Sequence, residues 1–472
     1  MSSAPVARGS LLGGSLSGLK RSPIDELTAA WRASGDVVRL RLGPPGVGRV
    51  GHLIVHPEHV EHVLVRNARN YQLSAAYEVL REFLGDGLLT SHGEEWKRHR
   101  RLAQPAFSAD RLAAVAPMFV QAAEAASHRL LVGAGAPIDL AAEMARLTLD
   151  GVGRALFGAR TVHEAAVVAP ALRTIQDSTL QGVYSPLTPS IRRQVRRLPA
   201  PGVRRYRAAV RDLDLVVERL VAGRRRHPGP ADDLLGLLMV AHEGAAPGDQ
   251  AVRDEVMTFL LAGHETTASA LTWTLALLSR HPQVRERLHA ELDRVLAGRP
   301  VCQADLPDLP LLAAVLNESL RLFPPAWTLE RQAQEADTIG GFDIPAGSTI
   351  VLAPYLTHRH PDFWKNPEGF DPDRWLVPTA RPRGSYLPFG AGARQCIGGS
   401  FAILEASLML ATLLQSTQID LMPGELLRPT PRITLTAGTG IAVRVSSRRR
   451  QSRDTDLMAA LVPAQAVAGS RI

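Results

Sequence analysis

Hydrophobic and polar residues alternate through Val37-Val38-Arg39-Leu40-Arg41-Leu42, a two-residue period that predicts a strand. Gly51-His52-Leu53-Ile54-Val55 reads as its partner. The period then lengthens, and helical patterns dominate from 58 to 323. Within them, 253–281 reads as one unbroken helix stopped by Pro282, and 309–322 as a helix that ends before Pro324-Pro325. Gly340-Gly341 and Pro345-Ala346-Gly347 break 338–352 into short strands and turns. Residues 433–445 predict a hairpin around Gly438-Thr439-Gly440. The expected fold class is mainly α with small β-sheets, an α+β chain folded over 21–446. The Gly/Ser-rich residues 1–20 and the polar, arginine-containing residues 447–472 are expected to be flexible.

Composition narrows this picture. With 472 residues the chain exceeds the usual size of one core, so more than one lobe is expected, and 45% apolar content is ample to fill them. The apolar stretch near the N-terminus is short and interrupted by Gly and Ser, which argues against a signal peptide or membrane anchor. Two cysteines in unlike contexts suggest no disulfide framework, and a cytoplasmic location is expected. The net charge of +8 comes largely from arginine clusters such as Arg224-Arg225-Arg226. Aromatics at 5% are too scarce for base stacking, so these clusters read as solvated faces or as a surface for an acidic protein, not for nucleic acid.

Cys396 carries the strongest chemical signal. It lies in Phe389-Gly390-Ala391-Gly392-Ala393-Arg394-Gln395-Cys396-Ile397-Gly398, ahead of an apolar helical stretch. A helix N-terminus favours a thiolate, and a lone thiolate cannot build a four-ligand zinc or iron–sulfur centre, although it can be an axial haem ligand. The competing reading is an inert cysteine in a Gly-rich loop. The spacing of Phe389, Gly392, Arg394, Cys396 and Gly398 resembles the haem-binding signature of the cytochrome P-450 family. The resemblance implies a helical lobe and a small β lobe with haem b between them, and Cys396 as the iron ligand. It also implies that Phe389 shields the sulfur and that N–H groups of residues 397–399 donate to it. Gly392 and Gly398 would allow a tight loop and close haem approach.

Other segments agree with the resemblance. Leu261-Ala262-Gly263-His264-Glu265-Thr266-Thr267, inside the long helix, is similar to the family's oxygen-activation motif. Gly263 would allow close approach of the backbone, and a local widening of the helix would open a groove there. Glu265 would supply protons, with Thr266 assisting as the second catalytic residue. His264 reads as structural or salt-bridging. Without the cysteine, the segment would read as a buried helix with a satisfied polar cluster. Glu318 and Arg321 share a helix face. With Arg374 of Phe370-Asp371-Pro372-Asp373-Arg374, they resemble the family's structural triad. Trp96 and Arg100, one turn apart in Trp96-Lys97-Arg98-His99-Arg100, are expected to reach the haem propionates, as are Arg394 and Arg331. Ala402 and Glu405 are assigned packing only, and Cys302 no role.

The implied activity is that of a haem-thiolate monooxygenase, which inserts one atom of O2 into an apolar small molecule of terpene, lipid or polyketide type. Electrons would come from a separate ferredoxin and a ferredoxin reductase using NAD(P)H. The basic face of Lys97, Arg98 and Arg101 is expected to meet that acidic partner. Pocket candidates are 77–89 including Leu89, 180–203, Leu260, Ala262, 326–329 including Ala326 and Trp327, and 437–440. Two alternatives are a peroxide-using peroxygenase, which usually lacks the acid–alcohol pair, and a non-enzymatic haem sensor, which would normally carry a signalling module.

Overall fold

The structure, a computed structural model, describes residues 2–10, 13–43, 49–133, 135–183, 194, 200–229, 231–242 and 248–448. The helices that build the site are α1 (Ala75–Leu84), α2 (Gly93–Ala103), α3 (Ala109–Val132), α4 (Leu140–Phe157), α5 (Ala165–Val183), α6 (Gly248–Arg280), α7 (Pro310–Leu322) and α8 (Gly399–Ser416). A large helical core includes Phe119, Met144, Trp273 and Met409, all fully buried. Two smaller apolar clusters sit on either side of the main β-sheet, around Ile54 and Ile350 in one and Leu40 and Leu53 in the other. The mainly α architecture with small sheets is therefore the one observed.

The main sheet has five strands, β1 (Val37–Leu42), β2 (Arg49–Ile54), β3 (Tyr71–Leu73), β4 (Leu329–Ala333) and β5 (Thr349–Leu352), in the order β1-β2-β5-β4-β3. The predicted β1–β2 pairing is present, antiparallel, with Val37 opposite Ile54. β2 runs parallel to β5, with Gly51 opposite Thr349, and β4 closes antiparallel on β5. The sheet thus holds residues 329–331 against the cavity described below.

The long helix is present as α6. A helix this buried must satisfy its own polar side chains. Thr266, Thr267, Thr272 and Thr274 do so by donating to the carbonyl four residues back, at 2.7, 3.1, 2.7 and 2.7 Å. α4 crosses α6 closely: a Cβ on Gly263 would stand 3.1 Å from Val152 Cγ2. The expected local widening is absent, for α6 stays α-helical throughout. Thr148 Oγ1 on α4 instead donates to His264 O at 2.8 Å.

Two expectations meet a different structure. Residues 2–10 are not loose: Ser2–Ser3 pairs with Phe342–Asp343, and Ala7 N donates to Arg39 O at 2.9 Å. Ala4 and Ala7 are buried as well. Backbone pairing to sheet edges orders a segment whose composition gives no hint of it. The hairpin over 433–445 does not form. Leu435–Thr436 pairs with Thr430–Pro431, whereas Ala442–Ser447 pairs with Thr417–Leu421 and Ile138–Asp139. Residues 449–472 of the expected tail, and most of 180–203, lie outside the described residues. Among the described residues one helix, α8, is long and apolar enough to cross a membrane, but 67% of it is buried, in part against α3.

Candidate active site

A cavity of about 470 Å³ opens between α6, α8 and the edge of the main sheet. The cysteine loop forms one wall. Cys396 N donates to Phe389 O at 2.9 Å, which closes the loop just before α8. Gly392 has φ +73°, and a Cβ there would lie 2.0 Å from Leu64 O. Gly392 is thus demanded by backbone against backbone, while a Cβ on Gly398 would meet only ordinary contacts, 3.5 Å to Phe107 and 4.0 Å to Cys396 Sγ. Phe389, Cys396 and Gly398 all line the cavity. Burial raises the Cys396 thiol above its ordinary value, and the Gly398 N–H and the Arg100 charge oppose that rise. A thiolate here therefore calls for a cation beyond the helix terminus.

Arg100, Arg331 and Arg394 line the same cavity, and none is ion-paired to a carboxylate among the described residues. Arg100 Nη1 donates to Gln395 O at 2.9 Å, Arg394 Nη2 to Ser91 O at 2.7 Å and Arg331 Nη1 to Glu330 O at 2.8 Å. The Trp96 ring supports two of them, with the Arg394 guanidinium 4.7 Å and that of Arg100 5.8 Å from its centroid. Burial, then repulsion from Arg331 and Arg100, brings Arg394 down to about 10. Three clustered cations without counter-anions fit a dianionic group in the cavity. The set suits a haem: carboxylates for the arginines, and an iron for the sulfur.

Ala262, Gly263, Glu265 and Thr266 of α6 line the same cavity as the cysteine loop. The Glu265 carboxyl accepts from Gln176 Nε2 on α5. Burial raises its pKa, while Gln176, Thr434 and the Arg432 charge act to lower it. Arg432 is itself anchored on Asp177 at 2.8 Å. Sequence reasoning does not single out Gln176, Thr434 or Arg432, for Gln176 sits in a polar run, Arg173 to Thr179, that offers no spacing signal. His264 is buried, places Nδ1 3.0 Å from Leu260 O, and is pushed by burial down to about 4, so it is neutral and structural. Glu405, assigned only to packing, is fully buried beside Gly151, and among the described residues neither oxygen has a hydrogen-bond partner. Burial lifts it to about 8, with Thr267 opposing.

Of the pocket candidates, Leu89, Ala262, Ala326 and Trp327 line the cavity. Leu260 does not: two residues from Ala262 is about 200° around a helix, and it is fully buried in the core. Residues 437–440 are replaced by Arg432, Ile433 and Thr434, because strand pairing places 430–436 by the cavity.

The expected triad is assembled away from the cavity. Arg321 Nη2 donates to Glu318 Oε1 at 2.8 Å and Arg374 Nε to the same oxygen at 3.1 Å. The Asp371 N–H and Trp375 Nε1 complete the carboxylate's shell at 3.0 and 2.8 Å. Arg321 also donates to the carbonyls of His358, Pro367 and Gly369. A buried pair with this many partners satisfies both charges, and burial is the main force opposing them.

A helical lobe and a small β lobe enclosing a cavity with a thiol on one wall and an acid–alcohol pair on the other define a haem-thiolate type of protein. Comparison with known proteins agrees. The family model described as Cytochrome P450 matches residues 8–440, and the chain belongs to this family, whose members are haem-dependent oxidoreductases. It is 40% identical over 428 residues to cyclooctatin synthase of Streptomyces melanosporofaciens, covering 89% of this chain and 90% of that protein. It is 37% identical over 416 residues to cyclooctat-9-en-7-ol 5-monooxygenase of the same organism, covering 86% and 87%. To pentalenene oxygenase of Streptomyces avermitilis it is 34% identical over 420 residues, covering 88% and 91%.

Proposed function

We propose that the protein is a monooxygenase for a terpene-type carbon skeleton, with haem b held by Cys396 on one side and by Trp96, Arg100, Arg331 and Arg394 at its edge. The observation that carries the reading is the pairing, across one apolar cavity, of Cys396 with Glu265 and Thr266. The bound haem supplies the activation of O2 and the redox chemistry. The chain supplies the rest. Phe389 and the Gly398 N–H tune the sulfur. Glu265, whose pKa burial raises above the ordinary carboxylate value, passes a proton toward Thr266. Leu89, Ala262, Ala326 and Trp327 exclude water and orient the substrate. Terpene names among the relatives support the substrate class. The acid–alcohol pair supports an O2-dependent route over a peroxide-dependent one.

Electrons come from a separate ferredoxin and its NAD(P)H-dependent reductase, in the cytoplasm. The support is a face of exposed Lys97, Arg98 and Arg101 on α2, the helix whose Trp96 and Arg100 reach the cavity. The decisive experiment is the reduced carbon monoxide spectrum of the haem-loaded protein. A thiolate-type band is expected, and Cys396→Ser is expected to abolish it; a band that persists in the variant sinks Cys396 as ligand. In Thr266→Ala, NAD(P)H consumption should continue while product falls about tenfold or more. Unchanged coupling rejects the role given to Thr266.

A further inference from the structure

The net charge of the chain is concentrated in one stretch. Residues 178–211 hold eight arginines and no Asp, Glu or Lys, an excess equal to the whole +8, so the remainder of the chain is balanced. The end of that stretch forms the start of the helix Pro201–Arg226. Tyr206, Ala209, Leu213, Val216, Val217 and Leu220 are its buried stripe. At about 100° per residue, Arg204, Arg207, Arg211 and Leu215 fall on the other side. All four are exposed, as is Arg205 beside them. Further along the helix the cations are matched, Arg219 to Glu164 at 3.7 Å, Arg224 to Asp233 and Arg225 to Asp249. Arg204, Arg205 and Arg211 form no ion pair among the described residues, and Asp214, one turn beyond Arg211, is taken by Arg253 at 2.8 Å. The first turn holds no acid and Ala200 offers no side-chain cap, so nothing local offsets these charges or the positive end of the helix.

This basic crest lies over the cavity. The helix packs along α5, which gives Leu172, Leu180 and Val183 to the cavity wall. We infer that the crest of Arg204, Arg205, Arg207 and Arg211 is a docking surface for an anionic lipid bilayer, on which the protein sits peripherally. A planar array of lipid phosphates meets every arginine of the row at once, and each basic side chain near such a surface contributes about fivefold in affinity. Leu215 continues the row and presents an apolar side chain to the headgroup layer. An apolar molecule of the kind this cavity encloses leaves water for a bilayer, so docking by this face brings the cavity wall close to its supply. Other polyanions fit less well. Base stacking lacks its aromatics here, and the acidic redox partner has a separate basic face on α2. The inference stands apart from the monooxygenase reading, because vesicle binding is read without turnover.

The test is sedimentation of the haem-loaded full chain with vesicles of phosphatidylcholine, either alone or mixed equally with phosphatidylglycerol. Binding should require phosphatidylglycerol and fall steeply as added salt shortens the Debye length from about 10 Å at 0.1 M to about 3 Å at 1 M. Arg204→Gln, Arg205→Gln and Arg211→Gln together should weaken it about tenfold or more, while Lys at the same three positions should preserve it, since a bilayer reads charge. Lys97→Gln, Arg98→Gln and Arg101→Gln on α2 should leave it nearly unchanged. Equal binding to pure phosphatidylcholine, binding that survives the first triple variant, loss in the lysine variant, or an equal loss in the α2 variant each overturns the inference. So does duplex DNA that strips the protein from the vesicles at equal phosphate concentration. Far-ultraviolet circular dichroism verifies that each variant is folded. Failure of the haem-thiolate reading would appear elsewhere, as loss of the reduced carbon monoxide band in the unsubstituted protein.

Discussion

At the scale of single residues, the chemistry is set by what surrounds each carboxyl. Glu265 and Glu405 are both carboxyls at the helical core. Glu265 has Gln176, Thr434 and Arg432 beside it, whereas Glu405 has only Thr267 opposing its burial. Glu405 therefore gives a measurable pH dependence. Its folded pKa of about 8 lies above the ordinary 4.5. Between those values the folded protein keeps a proton that the unfolded chain has released. The associated stability is complete below the lower value and is lost as pH rises through the upper one. Glu405→Gln should flatten the fall of the urea midpoint between pH 5 and pH 8, removing a slope worth a few kcal/mol. An unchanged slope would assign the pH dependence to another group. Cys396, Glu265 and Thr266 were legible as a spaced pattern of residue types. Gln176 and Glu405 were not, because their meaning lies in which partners they meet or lack.

At the scale of elements, two short segments brace the cavity. Glu318 on α7 gathers Arg321, Arg374, Trp375 and the Asp371 N–H around one carboxylate. Removing that carboxylate in Glu318→Ala strands the fully buried Arg321 charge. Urea unfolding should show a loss of about 3–5 kcal/mol, with lower haem content on purification. A loss below about 1 kcal/mol would mean the pair is dispensable. In the cysteine loop, Gly392→Ala forces a side chain against Leu64 O at positive φ. It should cost about 2 kcal/mol or more, seen as a lower thermal midpoint, whereas Gly398→Ala should cost less. Equal costs would contradict the distinction drawn between the two glycines. Both glycines belong to one sequence motif, and the positive φ of Gly392 together with the neighbouring Leu64 carbonyl separates their roles.

At the scale of the whole molecule, charge and shape divide the work. α2 turns Lys97, Arg98 and Arg101 to solvent, and His99 inward to a buried contact with Glu255 of α6. Burial works against the His99 charge, but the bond to Glu255 holds its pKa above the ordinary value. The helix that presents the basic face is thereby fastened to the helix that carries Glu265. Reversing the charge at positions 97, 98 and 101 should slow reduction by a ferredoxin at low salt and weaken its salt dependence. The carbon monoxide spectrum should stay unchanged. Stopped-flow reduction at several ionic strengths decides the matter, and equal rates would place the docking face elsewhere.

The sequence by itself determined the family, the mainly α class and the long helix α6, and it singled out Cys396, Glu265, Thr266 and the Glu318–Arg321–Arg374 triad. Each is a local pattern, a period or a spacing that survives without knowledge of neighbours. Only the tertiary structure decided that residues 2–10 pack on the sheet, that 430–436 and not 437–440 meet the cavity, and that Leu260 faces the core. It alone set Gln176 on Glu265. Strand pairing, helix facing and hydrogen-bond satisfaction depend on contacts between residues far apart in the chain, and one-dimensional spacing does not record them.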